Sequence, residues 1–239
     1  MIFFCFVWFS TQIIPYSFLP FFYILQYFTG ITLVNWDITV NIFHYITNFS
    51  FQQVNEERII DSGFILCNHR SWTDFAIDQY YSSSSQTGRI LAYIICPASL
   101  FSYLDKRAVI INRKDSSSIT FEKILNHLNN KDTYSNRVSI YPEGTRKNYL
   151  TVSNKDDIKK HIKYGLLKRI YEYKNKPVQC FISSNKELVL NEKRLSCNTD
   201  VVIRNAVSKP IYPEDYSSFE DFIDVICVEW LNCYNLTHL

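Results

Sequence analysis

Phe64-Ile65-Leu66-Cys67-Asn68-His69-Arg70-Ser71-Trp72-Thr73-Asp74-Phe75 is the stretch that decides how the chain is read. The continuous apolar run at 64–67 reads as a buried strand. It breaks at Asn68, and Trp72, Phe75, Ala76, Ile77 and Tyr80 then follow at helical spacing. A strand entering a helix through a short polar loop puts His69 and Asp74 at a strand's carboxyl end, where open α/β folds hold their ligands. Side chains five apart on one straight helix point away from each other. They meet if His69 stays in the loop and Asp74 lies in the first helical turn. A carboxylate then orients a histidine base through its second ring nitrogen. A plainer reading stands beside this one. Ser71-x-x-Asp74 is also a capping box, Ser71 at the N-cap and Asp74 at N3, and His69 is then one loop histidine among five.

Outward from this stretch the chain alternates strands and helices. Strands are expected at 59–67, 90–95, 108–112, 138–141, 178–183 and 201–204. Phe121, Ile124, Leu125 and Leu128 form one helical stripe, and Ile158, Ile162, Leu166 and Ile170 form another in a basic helix over 156–173. Ser217-x-x-Glu220 caps a last helix lined by Phe219, Phe222, Ile223, Ile226 and Trp230. The runs 82–85 and 126–136 read as surface loops. The pattern predicts an α/β domain over 51–239 with a mainly parallel sheet flanked by helices.

The first 36 residues contain no Asp, Glu, Lys or Arg. Pro15 and Pro20 divide them into apolar pieces at 1–14 and 21–34. Each would extend about 21 Å as helix, short of the roughly 30 Å hydrocarbon core. Two helices dipping into one leaflet fit that length, one kinked span is the alternative, and a buried hairpin is the plain one. With Trp8, Tyr16, Tyr23, Tyr27 and Trp36 distributed along it, residues 1–50 read as an apolar membrane-associating segment and its connector. A basic n-region and small-residue cleavage site are missing, so this is not a typical signal peptide.

A hydrophobic fraction of 47% fills a large core, and a net charge of +2 without a basic stripe argues against a nucleic-acid partner. Seven scattered cysteines without a Cys-x-x-Cys pair point to a reducing compartment and away from a disulfide framework or zinc site. No metal-ligand cluster is apparent, and no metal is expected.

Val138-Ser139-Ile140-Tyr141-Pro142-Glu143-Gly144-Thr145-Arg146 is a second strand running into a tight turn, with Pro at i+1 and Gly at i+3. The turn would hold the Glu143 carboxylate and Arg146 guanidinium at a strand's end. Together with Asn68-His69-Arg70-Ser71-x-x-Asp74, it resembles the glycerolipid acyltransferases of the 1-acylglycerol-3-phosphate acyltransferase family. Their first block is His, four residues, Asp, and their third is Glu-Gly-Thr-Arg. The second block, Gly-x-x-Phe-Ile-x-Arg, aligns with 107–113, where the arginine is kept as Arg113 while Arg107 and Ile110 replace the glycine and phenylalanine. Pro177-Val178-Gln179-Cys180-Phe181-Ile182 looks like the fourth block, Lys163-Tyr164-Gly165 like the Lys-x-Gly before it, and Lys209-Pro210-Ile211 like a later Gly-Lys-Pro-Ile strand. The resemblance covers about residues 59–235.

The resemblance implies transfer of a fatty acyl group from acyl-CoA, a co-substrate and not a cofactor, to the free hydroxyl of a lysophospholipid. The first choice of acceptor is 1-acylglycerol 3-phosphate, giving phosphatidate. His69 would be the general base and Asp74 its orienting carboxylate. Arg113, Glu143, Gly144, Thr145 and Arg146 would bind substrate, the arginines holding phosphate and Glu143 orienting Arg146 or the glycerol backbone. Ordinary surface pairing is the plain alternative for both arginines. Backbone amides around His69 would face the oxyanion. With no Gly-x-Ser-x-Gly elbow and no cysteine in a nucleophile motif, transfer would be direct. The expected setting is a membrane, with the catalytic domain on its cytosolic side. The alternatives are another lysophospholipid or glycerol 3-phosphate as acceptor, a hydrolase or transacylase using the same base, or a catalytically silent lipid-binding homologue.

Overall fold

Strand 64–67 carries no polar alternation because it lies in the middle of a seven-stranded sheet. A computed structural model describes residues 36–71, 73–89, 108–112, 114–130, 135–146, 152–191 and 196–238. In chain order it contains α1 (Trp36–Thr47), β1 (Ser50–Gln53), β2 (Gly63–Cys67), α2 (Asp74–Ser82), β3 (Ser85–Arg89), β4 (Ala108–Ile111), α3 (Ser117–Asn129) and β5 (Arg137–Ile140). These are followed by α4 (Lys155–His161), α5 (Tyr164–Tyr173), β6 (Val178–Ser184), α6 (Lys186–Val189), β7 (Leu190–Asn191), β8 (Ser196–Cys197), β9 (Val202–Val207), a 3-10 turn (Pro213–Asp215) and α7 (Phe219–His238). The sheet order is β1-β9-β6-β2-β5-β3-β4, and β7 and β8 form a separate pair. Five strands, β6 to β4 across the sheet, run parallel; β9 pairs antiparallel with β6, and β1 follows β9. Parallel neighbours buried on both faces favour continuous apolar runs such as 64–67; all five residues of β2 and all seven of β6 are buried, Gln179 of β6 with its side-chain amide hydrogen-bonded.

The side chains of β2 divide between two cores. Phe64 and Leu66 join Val138, Ile124, Ile158, Ile170, Phe222 and Trp230 beneath α3, α4, α5 and α7. Ile65 and Cys67 face the opposite way with Phe181 and Val207. A third cluster sets Phe43 of α1 against Ala76 and Ile77 of α2, with Phe49, Val189 and Ile203. Gly63 enters β2 at φ +137°, and a Cβ there would run into the Pro177 carbonyl, so the close approach of β2 to the start of β6 requires glycine.

Several boundaries differ from expectation. The strand expected from 59 begins only at Gly63. The strand at 90–95 lies outside the described residues, and β3 comes just before it. The 82–85 run is not a surface loop: Ser82, Ser84 and Ser85 are buried. The Ser84 hydroxyl bonds those of Ser82 and Ser139, so Ser82 and Ser84 are buried with their hydroxyls paired. The single helix over 156–173 is two, because the Lys163 amide donates to the Pro142 carbonyl at 2.8 Å and leaves the helical ladder. The last helix is capped one residue later than read, with the Asp221 amide donating to Ser218 Oγ at 3.1 Å. Among the described residues no helix is long and apolar enough to cross a membrane, and the apolar segment at 1–35 lies outside them.

Candidate active site

The carboxyl ends of three adjacent parallel strands, β6, β2 and β5, supply the site. Asn68, completely buried, extends β2 toward β6: its Nδ2 donates to the Ser183 carbonyl at 2.8 Å and its Oδ1 accepts from the Ser183 amide at 3.0 Å. The chain must turn directly after this pairing, and the turn presents His69.

His69 sits in the loop, and Asp74 is the first residue of α2. His69 Nδ1 lies 2.8 Å from Asp74 Oδ2, with the histidine side chain 26% exposed and the aspartate fully buried. The same Oδ2 accepts from the Arg70 amide. The capping-box reading is not what forms. Thr73 occupies the N-cap without a side-chain cap, and Asp74 stands at N1, where its carboxylate turns back to the loop. If Nδ1 keeps its proton on Asp74, Nε2 carries the lone pair. Burial alone would raise the Asp74 pKa, but Lys186 and the His69 bond outweigh it and hold the carboxyl below its ordinary value.

Glu143 is 3% exposed and does not reach out for substrate. Its carboxylate accepts from the His69 amide at 2.6 Å and from Arg70 Nη1 at 3.0 and 3.3 Å. The pairing of β2 with β5 sets the turn after β5 against the loop after β2, where the buried Arg70 needs a counter-charge. The His69 and Arg70 amides, expected to face an oxyanion, are both committed to carboxylates. Gly144 adopts φ +68°, a conformation that favours glycine. Lys163 runs across it, so that a Cβ at Gly144 would come within 2.7 Å of Lys163 Cε and Nζ. Thr145 and Arg146 are exposed on the same turn. Arg146 and Lys163 therefore bring two cationic side chains to one turn. Arg113 lies outside the described residues.

Sequence reasoning passed over four residues. Arg70 is the partner of Glu143. Tyr141, at the end of β5, places its ring 4.8 Å from that of His69 and donates its hydroxyl to Asp78 Oδ2 at 3.0 Å. Lys186, fully buried after β6, donates to both Asp78 oxygens at 2.9 Å and to the Asn68 carbonyl at 2.8 Å. Asp78 is pushed up to about 6, burial being the main cause and Asp74 a further one, against the opposing pull of Lys186. Two carboxylates share one cation, and Asp74, already bonded to His69 and the Arg70 amide, keeps its charge. The signal for Asp78 was present, since it lies one helical turn from Asp74 and shares its face. Nothing local marked Lys186, one of 25 lysines and arginines.

No protein-family model matches the chain, and no curated protein matches it in sequence. Among solved structures it is similar to the crystal structure of the 1-acyl-sn-glycerophosphate (LPA) acyltransferase PlsC from Thermotoga maritima. The TM-score is 0.60 and the identity 14%, over 97% of this chain and 95% of that one. At that identity the likeness is one of fold, a mainly parallel sheet flanked by helices, and chemistry must be argued from the site.

Proposed function

We propose that this chain is an acyltransferase that moves a fatty acyl group from acyl-CoA to the free hydroxyl of a lysophospholipid, 1-acylglycerol 3-phosphate being the acceptor the site suits best. The observation that carries the proposal is the 2.8 Å contact between His69 Nδ1 and the buried Asp74 carboxylate, at the mouth of the sheet. An alcohol is a weak nucleophile at neutral pH, so its proton must leave as it attacks. Nε2 takes that proton while the hydroxyl oxygen bonds to the thioester carbonyl carbon. Asp74 holds the imidazolium that results. The carbonyl then re-forms, the carbon–sulfur bond breaks, and the departing thiolate recovers the proton from Nε2. A base so placed contributes about 10²–10⁴ in rate.

Direct transfer is further supported by the cysteines. Cys67, nearest the loop, has its thiol raised well above the ordinary value by burial, and burial raises Cys180 likewise. Burial also pushes Cys227 and Cys233 up to about 12. Such thiols stay protonated and make poor nucleophiles. Arg146 on the turn after β5 and Lys163, whose side chain runs across Gly144, suit a phosphate monoester, with the guanidinium fork shaped for its oxygens. Arg113 belongs to this proposal as a second phosphate ligand. The uncharged residues 1–36 support a membrane setting, where both substrates reside, with the catalytic unit in the reducing cytosolic compartment.

The test is product analysis with labelled acyl-CoA in detergent–lipid mixtures. Label should appear in phosphatidate when 1-acylglycerol 3-phosphate is supplied, and His69→Ala should remove it. Label released as free fatty acid at the same rate with or without acceptor would make the protein a thioesterase instead.

A further inference from the structure

Behind the His69–Asp74 pair the contacts close on themselves. From His69 Nδ1 the path runs 2.8 Å to Asp74, and 3.9 Å from Asp74 Oδ1 to Lys186 Nζ. It continues 2.9 Å to Asp78 and 3.0 Å to the Tyr141 hydroxyl, whose ring returns to the His69 ring at 4.8 Å. Four parts of the fold contribute: the loop after β2, the first two turns of α2, the start of α6 and the end of β5. Lys186, Asp74 and Asp78 are all completely closed to solvent. Asp74 Oδ1 has no hydrogen-bond partner, so Lys186 is the cation answering that oxygen.

We propose that Asp78, Lys186 and Tyr141 are positioning residues that complete a ring with His69 and Asp74, holding the imidazole plane and setting the charge against which it gains and loses a proton. This rests on the acyl-transfer reading above. Lys186 also fixes the Asn68 carbonyl, directly before His69, and so sets the loop and the carboxylate from a single atom. A buried ion pair adds little net stability compared with well-packed apolar residues. Its placement here has a consequence that apolar residues could not supply: during catalysis the imidazolium joins Asp74, Lys186 and ionised Asp78 in a neutral set of four. In its absence the three remaining charges leave a net negative site, which favours proton uptake by His69.

The groups facing His69 are Asp74 from α2, with Lys186 from α6 behind it, Arg70 in its own loop, and Glu143 and Tyr141 from the end of β5. Those facing Asp78 are Lys186, Asp74, Tyr141 and the Cys67 thiol. Asp78→Asn leaves all of these in place, with Oδ1 still accepting from Lys186 and Nδ2 turned to the Tyr141 oxygen, so it removes the charge together with one of the two Lys186 contacts. The experiment follows the His69 Cε1–H resonance by NMR against pH in the full-length chain, assigned by its loss in His69→Ala. In Asp78→Asn the midpoint should move to lower pH by about half a unit or more, because a negative charge has been taken from beside the imidazolium. In Asp78→Leu/Lys186→Met, which exchanges the pair for apolar volume, kcat should fall at least tenfold with both KM values within twofold. An unmoved midpoint in folded Asp78→Asn would overturn the proposal, as would wild-type kcat in the folded double variant. If the double variant does not fold, the titration of Asp78→Asn decides by itself. If wild type transfers no acyl group to any acceptor, the acyltransferase reading fails, while the titration still reports on the ring.

Discussion

Arg70 Nη1 donates to Glu143 Oε1 across 3.0 Å, with both side chains almost completely buried, and this pair ties the loop carrying the histidine to the turn carrying Arg146. Removing one partner leaves a buried charge unanswered, at a cost of about 3–5 kcal/mol. Glu143→Ala should therefore lower the melting temperature sharply. Glu143→Gln also leaves the Arg70 charge unanswered but keeps an acceptor for the His69 amide, so it should lose less stability than Glu143→Ala, with reduced kcat and an acceptor KM near wild type. A selective rise in acceptor KM would return Glu143 to the substrate-binding role read from the sequence.

His69→Ala removes a partly exposed ring that packs on Tyr141 and should leave the fold intact while reducing acyl transfer by about 10²–10⁴. Asp74→Asn should also lose most of its kcat, because the amide cannot carry the charge that supports the imidazolium. Since Asp74 sits at N1 and holds the Arg70 amide, thermal melts should show a modest stability loss as well. More than about a tenth of wild-type activity in His69→Ala is incompatible with its assignment as the base, given that range.

Stability should depend on pH through the two buried carboxylates in opposite senses. The Asp78 carboxyl stands at about 6 in the folded protein against an ordinary 3.8, so between these values the folded state holds a proton that the unfolded chain has released. Its contribution is complete below pH about 4 and is lost as pH rises through about 6, by about 3 kcal/mol. Asp74, held low, contributes above the ordinary aspartate range and loses its contribution as pH falls through its folded value. Asp78→Asn has no such proton. Its melting temperature relative to wild type should rise by several degrees between pH 4 and 6, and parallel curves would mean Asp78 is ionised throughout.

Arg146→Lys keeps the charge but loses the bidentate fork. With one charge-assisted hydrogen bond contributing about 1.5–3 kcal/mol, the KM for lysophosphatidate should rise at least several-fold while that for acyl-CoA changes little. Wild type should prefer lysophosphatidate to lysophosphatidylcholine, whose phosphodiester has one charge fewer and brings a cation with it. Equal turnover of the two would point to phospholipid remodelling.

Deleting residues 1–35 leaves α1, whose Phe43 is buried against α2, and removes the uncharged stretch ahead of it. The truncated protein should stay folded and partition into the supernatant after membranes are washed in high salt. Continued sedimentation with lipid would place the membrane contact on the α/β unit itself.

Local sequence was sufficient where the determining physics is local. The apolar run of β2, the break at Asn68 and the helical stripe behind it define a strand, loop and helix whose five-residue spacing brings His69 to Asp74. The turn at Pro142 and Gly144 is legible for the same reason, being set by backbone preferences of its own residues. Ends of elements were less legible, because the Lys163 amide that splits α4 from α5 finds its acceptor at Pro142, and the buried serines near β3 find theirs at Ser139. Partners distant in the chain were decided only by the tertiary structure. Glu143 reads as a ligand for substrate until β2 and β5 lie side by side and Arg70 takes its carboxylate. Asp78 reads as an ordinary helix residue until β6 delivers Lys186 from 108 positions away to the same buried point. Burial gives those charges their effect, and burial is a property of the whole fold that no local spacing encodes.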